Sequence, residues 1–259
     1  ARPVLAALGR LSPAATVPQV TADLHEGIAG VCHIQEVLPE NLALKRQVYR
    51  QIEQTAPDTA LIASSSSGLL PTQLQQAMRV PGRLLVAHPC NPPYLMPLVE
   101  LVAGLQTTPQ TIADATAFYQ GLGKKTVVLR KEVTGHLANR LQAALWREAV
   151  YLVAEGYASV EDVDLAITEG LGARWAVCGP HEIFHLSGGA QGMAGFLDRL
   201  GPAITDWWAS LGAPVLDTAT RDKLVQGMAE AARGQSQPAM SEARDRNLLA
   251  IMAAKARLA

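Results

Sequence analysis

Between residues 31 and 130 short apolar runs alternate with longer segments whose apolar positions recur every three or four residues, the pattern of β-α units that build a parallel sheet. The runs predict strands over Val31–Val37, Ala60–Ala63, Arg83–Ala87, Leu98–Val102 and Thr126–Arg130. Between the first two, Leu44, Val48 and Ile52 recur at helical spacing, and Pro71 and Pro109 sit where proline is tolerated, in the first turn of a helix. From Lys131 onward the strand signals stop. Glu132–Glu155 carries Leu137, Leu141, Leu145 and Val153 among good helix formers, and Ser159 followed by Asp162 resembles a capping pair ahead of Val163, Leu165 and Ile167. Further helices are predicted over Pro180–Leu186, Met193–Ser210, Ala219–Arg233 and Met240–Leu258, with Gly234–Gln237 as the one loose stretch. The pattern predicts an α/β domain over residues 1–130, then an all-α domain over residues 131–259, with no internal repeat.

Composition narrows the classes of function. Of the 259 residues 49% are hydrophobic and 17% charged, enough to bury an ordinary globular core. Lys and Arg number 22 against 23 Asp and Glu, and no run of like charges forms a basic stripe, so nucleic acid is not an expected partner. No apolar stretch reaches the roughly 18 to 20 residues of a membrane span, and Ala1 to Val20 lacks the basic-then-apolar order of a signal peptide. Cys32, Cys90 and Cys178 are odd in number and far apart, which argues against a disulfide framework or a cysteine-rich metal knot and fits a reducing cytoplasm.

Ligands of open parallel sheets sit outside the carboxyl ends of the strands, so polar residues there are the first place to look for chemistry. The first strand runs into Glu36-Val37-Leu38-Pro39-Glu40-Asn41, the second into Ser64-Ser65-Ser66-Ser67-Gly68, and the third into His88-Pro89-Cys90-Asn91-Pro92-Pro93. A histidine followed by three prolines in five residues is held in a stiff loop and suits proton transfer. Glu100, twelve positions on, is placed to hydrogen-bond the imidazole and fix its tautomer. A serine run is more often a turn, and a His–Glu pair also arises from composition alone, so spacing by itself leaves this site open.

At these residues the sequence resembles the 3-hydroxyacyl-CoA dehydrogenase superfamily, and within it the lambda-crystallin or L-gulonate 3-dehydrogenase branch. The matching segments are ASSSSGLLP with Ser67, AHPCNPPYLMPLVELV with His88, Asn91 and Glu100, and TGHLANRLQAALWREA with Asn139. Ser67 precedes His88 by 21 residues and Glu100 follows it by 12, the intervals that the resemblance implies. The resemblance implies an NAD-dependent oxidation of an L-3-hydroxyacid. His88 would be the base and Glu100 its partner, and Ser67 and Asn139 would hydrogen-bond the substrate oxygen. Asn139 would come from the second domain, with the substrate between domains. HIQEVLPENLALKR resembles the segment beside the nicotinamide, which places Glu40 and Lys45 near the ribose and phosphates, with Ser67 and Asn91 also at the cofactor. A homodimer formed through the helical domain is likewise implied, and so is the absence of a catalytic metal.

The family opens with a strand, a G-x-G-x-x-G turn and a helix that grip the pyrophosphate, and this sequence has no such motif. By the family pattern roughly the first 70 residues are absent, so the chain is expected to carry a partial Rossmann-type domain. A chain truly starting at Ala1 would have an exposed sheet edge, half a cofactor site, poor stability and little activity. The segment Glu169-Gly170-Leu171-Gly172-Ala173-Arg174-Trp175 differs from the short turn of the acyl-CoA enzymes and resembles the lambda-crystallin and carnitine dehydrogenase branches, whose substrates are small free carboxylates. Arg174 is therefore a candidate carboxylate clamp, with a surface or domain-interface arginine as the alternative. A 3-hydroxyacyl-CoA dehydrogenase is the alternative within the superfamily, and two rival functions lie outside it. His181-Glu182-Ile183-Phe184-His185 satisfies H-E-x-x-H, a zinc-hydrolase motif, although Pro180 and Leu186-Ser187-Gly188-Gly189 leave it only a short helix. A binding relative without catalysis, as crystallins can be, is the other. His25, His33 and His136 read as structural, and Trp207 and Trp208 as core or subunit contacts.

Overall fold

A computed structural model describes residues 17–258. Strands form in all five predicted places, their ends moved by a few residues: β1 (His33–Glu36), β2 (Leu61–Ser64), β3 (Leu84–Pro89), β4 (Leu98–Ala103) and β5 (Lys125–Val128). They make one sheet in the order β1-β2-β3-β4-β5. β1, β2 and β3 run parallel, as do β4 and β5, but β3 and β4 are antiparallel. The sheet is thus mostly parallel, as the sequence led one to expect, with one antiparallel pair. The link from Cys90 to Pro97 is too short for a crossover helix and serves only to turn the chain back. His88 on β3 consequently lies directly opposite Glu100 on β4.

Helices α1 (Leu24–Ile28), α2 (Leu42–Thr55), α3 (Pro71–Gln75) and α4 (Pro109–Gly121) accompany the sheet. Asn41 caps α2 and Thr108 caps α4, while Pro71 and Pro109 occupy first-turn positions. Because side chains alternate along a strand, the middle strands bury both faces. Ile62, Leu84 and Val86 pack with Tyr49 and Ile52 of α2 and Leu74 of α3. Leu61, Ala63, Leu85 and Ala87 pack with Ala115 and Tyr119 of α4. The buried stripe of α2 is Lys45, Tyr49 and Ile52, with Leu44 and Val48 only partly covered.

Two compact units divide between Leu141 and Gln142. The division falls within α5 (Ala138–Ala154), which begins six residues later than Glu132. Gly135 (φ 77°) and His136 (φ 50°) adopt left-handed backbone that cannot belong to a right-handed helix. The second unit continues through α6 (Val160–Leu165), a π-helical turn (Ala166–Gly172), α7 (Ala173–Trp175), α8 (Pro180–Ser187), α9 (Gly192–Ser210), α10 (Thr218–Ala232) and α11 (Gln237–Leu258). Ser159 and Asp162 form the expected capping box on α6. Phe184 of α8 stacks on Phe196 of α9 at 4.6 Å. Trp207 and Trp208, 61% and 69% exposed, line an apolar groove with Phe184, Leu197 and Leu200, so neither is a core residue of this chain. Among the described residues no helix is long and apolar enough to cross a membrane.

Candidate active site

The carboxyl end of β1 is organised by a buried acid that the sequence reading passed over. Glu36 closes the strand at 5% exposure and is fully bonded. Its Oε1 accepts from Lys45 Nζ at 2.7 Å and from the Leu38 amide at 2.5 Å, and its Oε2 accepts from Tyr49 Oη at 2.6 Å and Ser64 Oγ at 2.7 Å. Burial and the neighbouring Glu36 push the Tyr49 phenol far above its ordinary range, so it stays a donor. Lys45 also donates to the Leu38 carbonyl at 3.0 Å. Lys45 is only 1% exposed, and its ammonium holds the Glu36–Glu40 loop. The signal for this was available: Lys45, Tyr49 and Ile52 are spaced as one helical face.

Glu40 closes the same loop onto the serine turn. Its Oε1 accepts from Ser66 Oγ at 2.6 Å and from the backbone amides of Gly68 and Leu69 at 2.7 and 3.1 Å, and its Oε2 lies 3.9 Å from Lys45 Nζ. Burial raises its pKa, but the bonds from Ser66, Gly68 and Leu69 with the Lys45 charge outweigh it and hold the carboxyl below the ordinary carboxylate value. The ends of β1 and β2 are thereby locked together.

Beside them lies the histidine cluster. His88 Nδ1 is 2.9 Å from Glu100 Oε2. Glu100 is completely buried, and its Oε1 accepts the backbone amides of Leu137 and Ala138 at 2.7 and 2.9 Å, where α5 begins. A carboxylate accepts only, so Nδ1 carries the imidazole hydrogen and Nε2 keeps its lone pair. Asn139 Nδ2 approaches that Nε2 at 3.5 Å and the Ser67 carbonyl at 3.4 Å, both at the long edge of hydrogen bonding. Ser67 is exposed at the mouth of the turn. Asn139 falls in the first unit, so His88, Glu100, Ser67 and Asn139 meet within one compact body. Asn139 lies at the start of α5, three residues before the division between the two units.

The other expected residues are more scattered. Asn91 is exposed in the loop after β3 and joined to Pro92 by a cis peptide bond. Arg174 is exposed on α7 in the second unit. His181, Glu182 and His185 lie on the single short helix α8, and His185 Nδ1 accepts the Met193 amide at 3.1 Å. No group of three or more His, Cys, Asp or Glu that could hold a metal ion occurs among the described residues. His25 is bonded to Thr55, and His33 stacks on Phe118 at 3.8 Å, with burial lowering its pKa. His136, read as merely structural, is fully buried with its ring centroid 5.3 Å from that of His88.

Both units of the chain match known protein families. The family described as 3-hydroxyacyl-CoA dehydrogenase, NAD binding domain, matches residues 9–133, and the corresponding C-terminal domain family matches residues 135–234. The chain is 46% identical over 239 residues to the L-carnitine dehydrogenase of Streptomyces griseus, covering 92% of this chain and 71% of that protein. To the L-carnitine dehydrogenase of Streptomyces coelicolor it is 45% identical over 257 residues, 99% of this chain and 81% of the other. The crystal structure of an NAD-dependent dismutase, 5-formyl-3-hydroxy-2-methylpyridine 4-carboxylic acid 5-dehydrogenase, superimposes with a TM-score of 0.81 at 30% identity, over 96% of this chain and 82% of that one. Matched along both units and sharing nearly half its residues with such relatives, the chain belongs to the 3-hydroxyacyl-CoA dehydrogenase family of NAD-dependent oxidoreductases.

Proposed function

We propose that this protein oxidises the 3-hydroxyl group of a small free 3-hydroxy carboxylate, with His88 as the base. The observation that carries this reading is the 2.9 Å bond from His88 Nδ1 to the buried Glu100, which leaves Nε2 as an acceptor beside Asn139. The substrate hydroxyl gives its proton to His88 Nε2. Glu100 holds the ring in place and stabilises the charge that it gains. The Asn139 amide and the Ser67 hydroxyl orient the substrate oxygen as it becomes a carbonyl, keeping C3 in line for transfer.

The residues present suit the nicotinamide-ribose half of NAD. Glu40 is a partly exposed carboxylate fixed by backbone amides at the strand ends, which is what ribose hydroxyls require, and Lys45 supports it from behind. Ser67 and Asn91 are exposed on the neighbouring loops. When bound, NAD supplies the acceptor for the hydride that leaves C3.

The substrate assignment rests on the relatives named L-carnitine dehydrogenase and on Arg174. L-carnitine is itself a small 3-hydroxy carboxylate, so it is a first substrate to assay, with L-gulonate and L-3-hydroxybutyrate beside it. A guanidinium binds a carboxylate through two parallel hydrogen bonds, and a CoA thioester offers no charge at that position. Arg174→Met is expected to raise KM for the free acid by an amount equivalent to about 1.5 to 3 kcal/mol, and to leave any activity on L-3-hydroxybutyryl-CoA unchanged. A higher kcat/KM for the thioester than for all three acids would reject this assignment in favour of an acyl-CoA substrate.

We also propose that the helical unit forms a homodimer. The exposed groove with Trp207 and Trp208 supports this, since large aromatic side chains are enriched at subunit interfaces. Sedimentation should show a dimer, and Trp207→Glu with Trp208→Glu should weaken it. A protein that sediments as a monomer would reject the dimer.

A further inference from the structure

We propose that His136 is a positioning residue for the reaction at His88, holding the serine turn and the start of α5 in register through one hydrogen bond. The inference rests on the assignment of His88 as base and deepens it. His136 Nε2 lies 2.9 Å from the Ser66 carbonyl. A carbonyl only accepts, so Nε2 carries the hydrogen and Nδ1 is left with a lone pair. That Nδ1 is buried and has no hydrogen-bond partner. The residue also sits at φ 50°, a backbone region that non-glycine residues rarely adopt.

Both features cost stability, and an apolar side chain of similar size would avoid the unpaired nitrogen. The histidine supplies something that such a side chain cannot, namely the donor to Ser66. Three parts of the cluster converge on it. Ser66 precedes Ser67, whose carbonyl receives Asn139. Leu137 and Ala138, the next two residues, donate the amides that fix Glu100. The imidazole lies against His88, ring centroids 5.3 Å apart and inclined by 54°. One side chain thus couples the hydroxyl donor, the base, the partner of the base and Asn139, and a strained residue in such a place is expected to have a role in function.

The test compares variants that separate the donor from the bulk. His136→Gln keeps an N–H near the position of Nε2, His136→Met has similar length without a donor, and His136→Phe keeps a ring without a donor. His136→Gln is expected to retain kcat within about threefold, whereas His136→Met and His136→Phe lose about 10- to 100-fold, because misplacement by about 1 Å can cost a factor of 100. KM for NAD should stay within about twofold in all three, since His136 is placed against the reacting end of the site. Hydrogen exchange at the Leu137 and Ala138 amides gives a readout that needs no turnover: it should quicken in His136→Met and stay slow in His136→Gln. If His136→Met does not fold, His136→Phe against His136→Gln makes the same comparison. Equal turnover and equal exchange in the donor-bearing and donor-free variants would overturn the proposal. Normal turnover by His88→Gln would instead overturn the assignment of the base, and would leave the exchange contrast standing.

Discussion

Replacing His88 by Ala or Gln is expected to lower kcat by about 100- to 10,000-fold while the Kd for NAD changes little, because a positioned base contributes that much to proton transfer and touches the substrate hydroxyl. The loss should appear in kcat and kcat/KM alike. Glu100→Gln is expected to lower kcat to a comparable extent. The carboxamide oxygen can still accept the Leu137 and Ala138 amides, but its NH2 group then turns a donor towards His88 Nδ1 and favours the tautomer with hydrogen on Nε2. Steady-state kinetics with NAD and the best free acid measure both losses. Turnover within a few-fold of the parent in His88→Gln would show that the proton leaves by another route.

The second large effect is on stability and concerns the buried Lys45–Glu36 ion pair. Lys45→Met is expected to destabilise the protein by about 3 to 5 kcal/mol, the range for removing one partner of a buried pair, because Glu36 stays buried without its cation. A chain of this size should then melt roughly 10 °C lower. Adding Glu36→Gln should recover part of the loss, since a carboxamide has no charge to desolvate and its oxygen can still accept from Tyr49 and Ser64. Thermal unfolding of the parent, the two single variants and the double variant gives the coupling between the sites. A loss below about 1 kcal/mol for Lys45→Met would mean that water reaches Glu36 and that the pair is not sealed.

What the sequence disclosed depended on how local each signal was. The strand places were legible because β2 and β3 are continuous apolar runs, and Pro71, Pro109 and Ser159 mark helix starts through their own backbone chemistry. The antiparallel turn of β4 was not, because strand direction depends on where a chain returns, and neither periodicity nor composition records that. The start of α5 was misplaced because Leu137, Leu141 and Leu145 set the helical spacing without marking the break that the left-handed backbone of Gly135 and His136 makes before them. For the site, the interval between His88 and Glu100 carried real information, which the antiparallel register turns into a cross-strand pair. Glu36 was overlooked for the opposite reason: an acid at a strand end looks solvated until Lys45, Tyr49 and Ser64 close over it. Lys45 was placed near the cofactor through the resemblance of its segment, and its burial against Glu36 on the inner face of α2 is a tertiary contact that the segment alone does not record.

The most direct test of the site is a crystal structure of the protein with NAD and the preferred 3-hydroxy carboxylate bound. The substrate C3 oxygen should lie about 2.6 to 3.2 Å from His88 Nε2, with the Asn139 amide and the Ser67 hydroxyl as its other neighbours. His88 Nδ1 should remain on Glu100. A substrate whose C3 oxygen meets a different side chain, with His88 more than about 5 Å away, would contradict the account.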